Sequence, residues 1–489
     1  MRRETLLAVI ITALVTASLV AVITTRLPRG TRTATVTITS TLTKPETITS
    51  TLVSTVSTTL TRTVTVTAVT TTTEVTTITA TITQTSTSTS TTTPSTTSTT
   101  PTVTTTTTVK PPATPYWASR PAVMYENLYS PPEGFEKALS ILSELRPGMV
   151  WYSRMITGFP PVPNATSAYA IGREAGLSDA QARKFAAWVQ SERYDLEDIG
   201  RAAKAVEELG ALYCPCILVQ NLRVSFNYDP LTFKPIPKSE LESMALDYSK
   251  WGLPYDKDKT QEYFREKAGI PAGAVFPDIT NEAYQEYLIR KVKALKEAGV
   301  KCVWLDMLFA QANIAYAITH DYNHPAVKEA YEAAVKVVKE IKAMGMTVGT
   351  WADWVIYPYS NAPPVDFVTK TVSRKEVMEG SVNLTEWREV ISTIRGRTNA
   401  TILMVFDFGP SDNTPLAIFS QQLTPEQQTE FLKSMGEACK ELGVVPVYPV
   451  HGGCMGRDAQ KLSYGKYLYY DALAPEFRTY ETIKELMSG

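Results

Sequence analysis

Beyond residue 115 the chain alternates short apolar runs with longer stretches in which apolar positions recur every three or four residues. The first pattern predicts buried strands and the second amphipathic helices. Strands are predicted at Ala122–Leu128, Met149–Met155, Leu212–Gln220, Lys301–Leu308, Thr347–Asp353, Asp366–Thr371, Thr401–Phe408 and Val444–Val450. Helices are predicted near Pro132–Leu145, Asp195–Leu209, Glu282–Ala298, Pro325–Met344, Thr385–Ile394, Pro425–Leu442 and Pro475–Met487, mostly between or after the strands. Gly210, Gly299, Gly345 and Gly443 each stand just after a predicted helix and before a strand, the place a left-handed C-terminal cap favours glycine.

Strand–helix repetition of this kind argues for a parallel α/β fold. Eight units over residues 116–489 suit one closed (β/α)8 TIM barrel with insertions. No glycine-rich phosphate loop follows any strand, which counts against a dinucleotide-binding sheet. Residues 221–280, rich in Tyr, Pro and charge, read as an insertion between strands three and four. The fifth unit is the weakest, because Trp354–Val365 carries no helical pattern.

The segment around the fourth strand is the most specific. Phe276-Pro277-Asp278-Ile279-Thr280-Asn281-Glu282 opens a helix that Asn281 can cap, with Tyr284, Leu288, Val292 and Leu295 as its apolar stripe. Gly299 ends it, and Val303-Trp304-Leu305-Asp306-Met307 follows. Strand alternation puts Cys302, Trp304 and Asp306 on one face, so Asp306 stands at the strand's mouth above an indole. The carboxyl ends of barrel strands are where such folds keep their chemistry.

Residues 276–307 resemble the pattern around the catalytic nucleophile of glycoside hydrolase family 31, the α-glucosidase and α-xylosidase group, and its wider clan with the α-galactosidases. In that family a Phe-Pro-Asp-x-Thr-Asn segment leads to Trp-x-Asp-Met, and the resemblance implies that Asp306 attacks the sugar. The family continues Asn-Glu after the Met, where this chain has Leu308-Phe309. The family's acid/base lies in a Gly-Asp-Asn on a later strand. Here Ser411-Asp412-Asn413 follows Phe406-Asp407-Phe408-Gly409, so the resemblance offers Asp412 or Asp407 for that role, after strand seven, while strand six ends on Lys370.

Read in order, the strand ends are Glu126, Arg154, Asn221, Asp306, Asp353, Lys370, Asp407 and His451. Glycoside hydrolysis needs one protonated and one ionised carboxyl group. The catalytic candidates are therefore Asp306, Asp407, Asp412 and Asp353. Sugars pair apolar faces with hydroxyl rims, so aromatic platforms and charged groups near those acids are candidate substrate contacts: Glu126, Trp151, Arg154, Trp304, Trp351, Trp354, Lys370 and His451. His320-Asp321-Tyr322-Asn323-His324 has the wrong spacing for a zinc pair and reads as a helix cap ahead of Pro325, so neither a metal nor another cofactor is expected.

The first hundred residues differ. Arg2 and Arg3 precede an apolar run from Leu6 to Ile23, long enough for a transmembrane helix whose arginines stay in the cytoplasm. A cleaved signal peptide is the competing reading, and the run's length favours the anchor. Residues 31–115 are mostly Thr, Ser and Val, nearly uncharged and without aromatic residues, the composition of a disordered stalk like those on archaeal surface proteins, with candidate O-glycosylation sites. Asn164, Asn383 and Asn399 begin N-glycosylation triplets. These features predict residues 1–30 as an anchor or signal, 31–115 as the stalk, and a cell-membrane protein with its barrel outside.

Lys and Arg number 48 against 49 Asp and Glu, a formal charge of −1, so no electrostatic argument favours nucleic acid. The five cysteines, Cys214, Cys216, Cys302, Cys439 and Cys454, imply no disulfide framework. The expectation is an outward-facing, glycoside hydrolase-like barrel acting on a carbohydrate or glycoprotein glycan. The alternative is a glycan-binding or envelope protein on a barrel with an incomplete catalytic pair.

Overall fold

In the computed structural model the chain divides into two units, Met1–Pro111 and Pro112–Gly489, each taken by itself below. From residue 115 onward the structure describes all residues except 127, 129–133, 193, 194, 269, 355–361, 410, 457, 458, 460–468 and 489; before it, only the backbone of five strands.

The N-terminal unit departs from expectation twice. Among the described residues no helix is long and apolar enough to cross a membrane. The two described parts of the expected anchor, Leu6–Ile11 and Val20–Thr25, pair as antiparallel strands, and residues 12–19 between them lie outside the described set. Their content of Val and Ile, stiff at χ1, favours extended backbone. Within the expected stalk, Val53–Val69 pairs antiparallel with Val75–Thr91, and Thr37–Thr39 adds in parallel to the latter. Thr and Val are β-formers, and alternating them supplies strand propensity.

The second unit is the barrel. Its strands are β1 (Ala122–Tyr125), β2 (Met149–Ile156), β3 (Leu212–Leu218), β4 (Cys302–Asp306), β5 (Thr347–Trp351), β6 (Phe367–Thr371), β7 (Thr401–Val405) and β8 (Val445–Cys454). Each pairs in parallel with its sequence neighbour, and β8 pairs with both β7 and β1, which closes the sheet. All eight predicted strands are present and in the predicted order. A short β9 (Tyr469–Asp471) runs antiparallel to β8. Nearly every strand position is buried, as expected for a sheet covered on one side by helices and filled on the other by its own side chains.

Local signals explain where the helices begin and end. Asn281 accepts hydrogen bonds from the N–H groups of Ala283 and Tyr284 and starts helix Glu282–Glu297. His324 accepts from Ala326 N–H ahead of Pro325, so of Asn323 and His324, the two residues that could cap this helix, it is His324 that does. Thr424 and Gln427 form a reciprocal capping box on helix Pro425–Leu442. Gly210, Gly299, Gly345 and Gly443 all take positive φ, between 64° and 95°, where a side chain would be strained. After β5 a 3-10 turn, Ala352–Trp354, leads into residues 355–361, so the expectation of a unit without a helix falls partly outside the described residues.

Two insertions interrupt the barrel and meet at helix Glu282–Glu297. The expected one is closed at its base by Leu222–Arg223 pairing with Ala274–Val275. The second, between β2 and β3, was not foreseen: helices Ala165–Glu174 and Asp179–Glu192 build a small core from Phe159, Val162, Ile171, Phe185 and Val189. Tyr228 of the first insertion buries its ring in that core, tying the two together. The Phe-Pro-Asp segment anchors this assembly. Asp278 accepts from Thr280 N–H at 3.0 Å and Gln311 Nε2 at 2.8 Å, and pairs with Lys250.

Candidate active site

The acids rest on an aromatic floor. Trp304 on β4 lies 5.1 Å from Trp151 on β2 and 5.0 Å from Trp351 on β5, centroid to centroid, both edge to face. Tyr152 and Phe408 complete the cluster, 4.5 Å apart. Trp304 donates to Thr369 Oγ1 on β6 at 3.1 Å, so even its polar atom is satisfied inside the barrel. Trp151 and Trp304 are each no more than 1% exposed and present no face to a sugar. Of the proposed aromatic contacts, Trp351 is the one the structure brings to an acid. The side chain of Trp354 lies outside the described set.

Asp306 is the last residue of β4. Its Oδ1 accepts from Trp351 Nε1 at 2.8 Å and its Oδ2 from Gln220 Nε2 at 3.5 Å. Burial above the indoles pushes its pKa up to about 6, against the opposite pull of the Trp351, Gln220 and Met307 donors. Met307, next in sequence, takes a φ of 59°.

Asp407 follows β7, its N–H donating to Thr371 Oγ1 at 2.8 Å. Burial first, and then the charge of Asp306, push its pKa up to about 6; the Phe408 N–H pulls it down and Asp353 adds to the rise. Asp306, Asp353 and Asp407 therefore share one mouth. Asp353 is held by Lys370, whose ammonium lies 2.7 Å away, so the lysine one residue before the end of β6 neutralises one acid of the three.

The other candidates lie elsewhere. Asp412 is exposed on the loop before helix Pro415–Gln422. Arg154 is buried where its charge acts on the Tyr213 phenol. Glu126 is buried after β1, accepting from Gly453 N–H at 3.0 Å, and the carbonyl of Glu126 lies 2.8 Å from His451 Nδ1. The paired glycines after His451 thus bring backbone against Glu126; a side chain at Gly452 would overlap it. Asn164 and Asn383 both cap helices, and Asn383 and Asn399 are exposed. The five cysteines are free. Among the described residues no cluster of His, Cys, Asp and Glu has a metal-binding arrangement. Cavities of about 530 and 400 Å³ lie away from these acids, one lined by Arg388 and Glu441 and one by Leu196 and Ala298; residues 355–361 of the loop after β5 and most of the loop after β8 are outside the described set.

Sequence reasoning missed Gln220, Thr371 and Tyr152. Gln220 lies one residue before the position taken as the end of strand three.

No protein-family model matches the chain, and no curated protein does. Among solved structures, the chain is similar to the glycoside hydrolase domain of PelA from Pseudomonas aeruginosa: 11% identity, 52% of this chain and 83% of that one, TM-score 0.29. It is also similar to the noncanonic maltogenic alpha-amylase AmyB from Thermotoga neapolitana: 12% identity, 75% of each chain, TM-score 0.37. The trehalose-6-phosphate hydrolase TreA of Bacillus licheniformis gives 11% identity, 69% of this chain and 65% of that one, TM-score 0.40. Likenesses this distant carry no argument about a reaction, which has to be built from the side chains.

Proposed function

We propose that the barrel is a retaining glycoside hydrolase with Asp306 as nucleophile and Asp407 as acid/base. The observation that carries this reading is a pair of part-buried carboxyl groups at the ends of strands four and seven, with the pKa of Asp407 raised by burial first and by the charge of Asp306 second. Three donors favour the ionised form of Asp306, namely Trp351, Gln220 and Met307 N–H. Asp407 has one, Phe408 N–H, and two acidic neighbours. Both pKa values lie at about 6, so the assignment rests on these neighbours: the donors around Asp306 suit the nucleophile and the acidic neighbours of Asp407 suit the proton donor.

The Asp306 carboxylate attacks the anomeric carbon while Asp407 gives its proton to the departing glycosidic oxygen, leaving a glycosyl ester and a free alcohol. Asp407, now ionised, takes a proton from water; the hydroxide oxygen bonds to the same carbon, and Asp306 leaves as a carboxylate. The likeness of residues 276–307 to family 31 favours an α-glycoside as substrate. The Thr/Ser tract and the three glycosylation triplets favour an exported protein, which protease accessibility on intact cells tests.

A screen of the protein on an α- and β-glycoside panel tests the reaction. Asp306→Asn is expected to lower turnover by at least about a thousandfold while the protein stays folded. Unchanged turnover removes Asp306 as nucleophile. One observation favours a binding-only protein: Lys370 occupies a strand end and neutralises Asp353. Glycan binding without cleavage by the wild type selects that reading.

A further inference from the structure

Among the described residues six non-glycine positions take positive φ. Arg146 and His320 close helices, Phe233 sits in the turn from Asp229 to Lys234, and Arg478 sits in a turn before the last helix. Only Tyr152 and Met307 lie in or just beyond a barrel strand, and an aromatic residue in this region is a true outlier.

The geometry shows what the strain achieves. Consecutive residues of a regular strand point to opposite faces. Yet Trp151 and Tyr152 both pack on Trp304 and Phe408, with Tyr152 at 6.1 and 4.5 Å from them. The φ of 55° at Tyr152 and the register shift between Trp151 and Met155 turn the phenol inward. Its ring touches the residue after Asp407 and the residue two before Asp306. The hydroxyl gains little in return: it donates to Met155 Sδ at 3.0 Å, and a thioether is a weak acceptor. Burial, followed by the charges of Glu126, Cys216 and Asp306, pushes the phenol pKa well above its usual value, so it remains a donor.

We propose that Tyr152 is a substrate-contacting residue of the same site, its O–H leaving Met155 Sδ to donate to an oxygen of the sugar ring held between Asp306 and Asp407. This inference rests on the glycoside hydrolase reading. A core tyrosine needs neither the backbone strain nor the inward turn, because a regular strand would place it on the face opposite Trp151.

Tyr152→Phe keeps the ring and removes the donor. It is expected to melt within a few degrees of the wild type, while kcat/KM on the panel substrate falls about 10–100-fold, as for loss of a polar contact to a substrate hydroxyl. The bell-shaped pH profile keeps its position, because the acid pair is untouched. If Asp306→Asn is inactive and Tyr152→Phe stays within twofold of the wild type, this proposal is overturned and the reaction stands. If the wild type cleaves nothing, calorimetric binding of the same glycosides decides: weaker binding by Tyr152→Phe supports the contact, and equal binding overturns it. A wild type that neither cleaves nor binds any member overturns both readings.

Discussion

Trp351 Nε1 donates to Asp306 Oδ1 at 2.8 Å, an indole at the end of β5 fixing a carboxylate at the end of β4. The donor favours the ionised acid and opposes the rise that burial causes. Trp351→Phe keeps most of the edge-to-face packing on Trp304 and removes the donor. A hydrogen bond to a charged group contributes about 1.5–3 kcal/mol, so kcat/KM should fall roughly 10–100-fold. The acid limb of the pH–rate profile should move to higher pH, because Asp306 then ionises later. A profile that keeps its acid limb would show that the indole does not act through Asp306.

Both acids of the pair lie at about 6, raised from the ordinary carboxylate range. The active form carries one proton, so turnover should peak near pH 6 and fall on either side. Below the peak Asp306 gains a proton and loses nucleophilicity; above it Asp407 loses the proton the leaving group needs. The stability sign is opposite to that of a salt-bridged acid. A folded pKa above the unfolded one means the native state binds more protons between about pH 4 and 6, so stability falls as pH rises through that window. Asp306→Asn removes the cost and should raise stability at pH 7 by roughly 1–3 kcal/mol, read by denaturant unfolding.

Lys370 faces Asp353 at 2.7 Å, and Asp353 in turn raises the pKa of Asp407. Lys370→Met leaves the Asp353 charge unscreened, which should move the basic limb of the pH–rate profile upward. Asp353→Asn should move it downward, since one negative neighbour of Asp407 is gone. Identical basic limbs in the two variants would remove Asp353 from the proton balance of the site.

The eight strands were legible because each is buried on both sides and reads as an apolar run, and the helices because caps such as Asn281 and glycines such as Gly299 bracket them. The position of Asp306 followed directly, since strand alternation puts it above Trp304. Asp407 was among the acids offered as its partner, but the choice between Asp407, Asp412 and Asp353 did not follow, nor did Gln220, because no spacing along the chain encodes proximity between strands three, four and seven. The places of Trp151 and Trp304 are not encoded locally for the same reason: a tryptophan near a strand end can fill the barrel or face the ligand, and the packing of Phe408 and Tyr152 buries both. The helices Ala165–Glu174 and Asp179–Glu192 escaped notice because their apolar faces serve a local core built around Phe159 and Phe185 rather than the barrel.

Lys291 marks where the insertions cost stability. It lies on helix Glu282–Glu297, 2% exposed, with its ammonium donating to the Thr157 carbonyl at 3.1 Å and 5.3 Å from the centre of the Tyr287 ring. Burial lowers its pKa to about 7. Tyr287 continues the contact by donating to Asn227 Oδ1 at 3.0 Å, and Asn227 donates to the Gly158 carbonyl at 3.1 Å, so the lysine sits where both insertions meet the barrel helix. A lysine whose folded pKa is depressed destabilises the native state fully below the folded value, and the cost fades as pH rises from about 7 towards the unfolded value near 10. Lys291→Met keeps the aliphatic stem and removes the charge. It should raise stability by about 2–4 kcal/mol at pH 6 and by less at pH 9, measured by urea unfolding at both values. An equal gain at the two pH values would mean that the ammonium is solvated in the native state and that the insertions do not seal it.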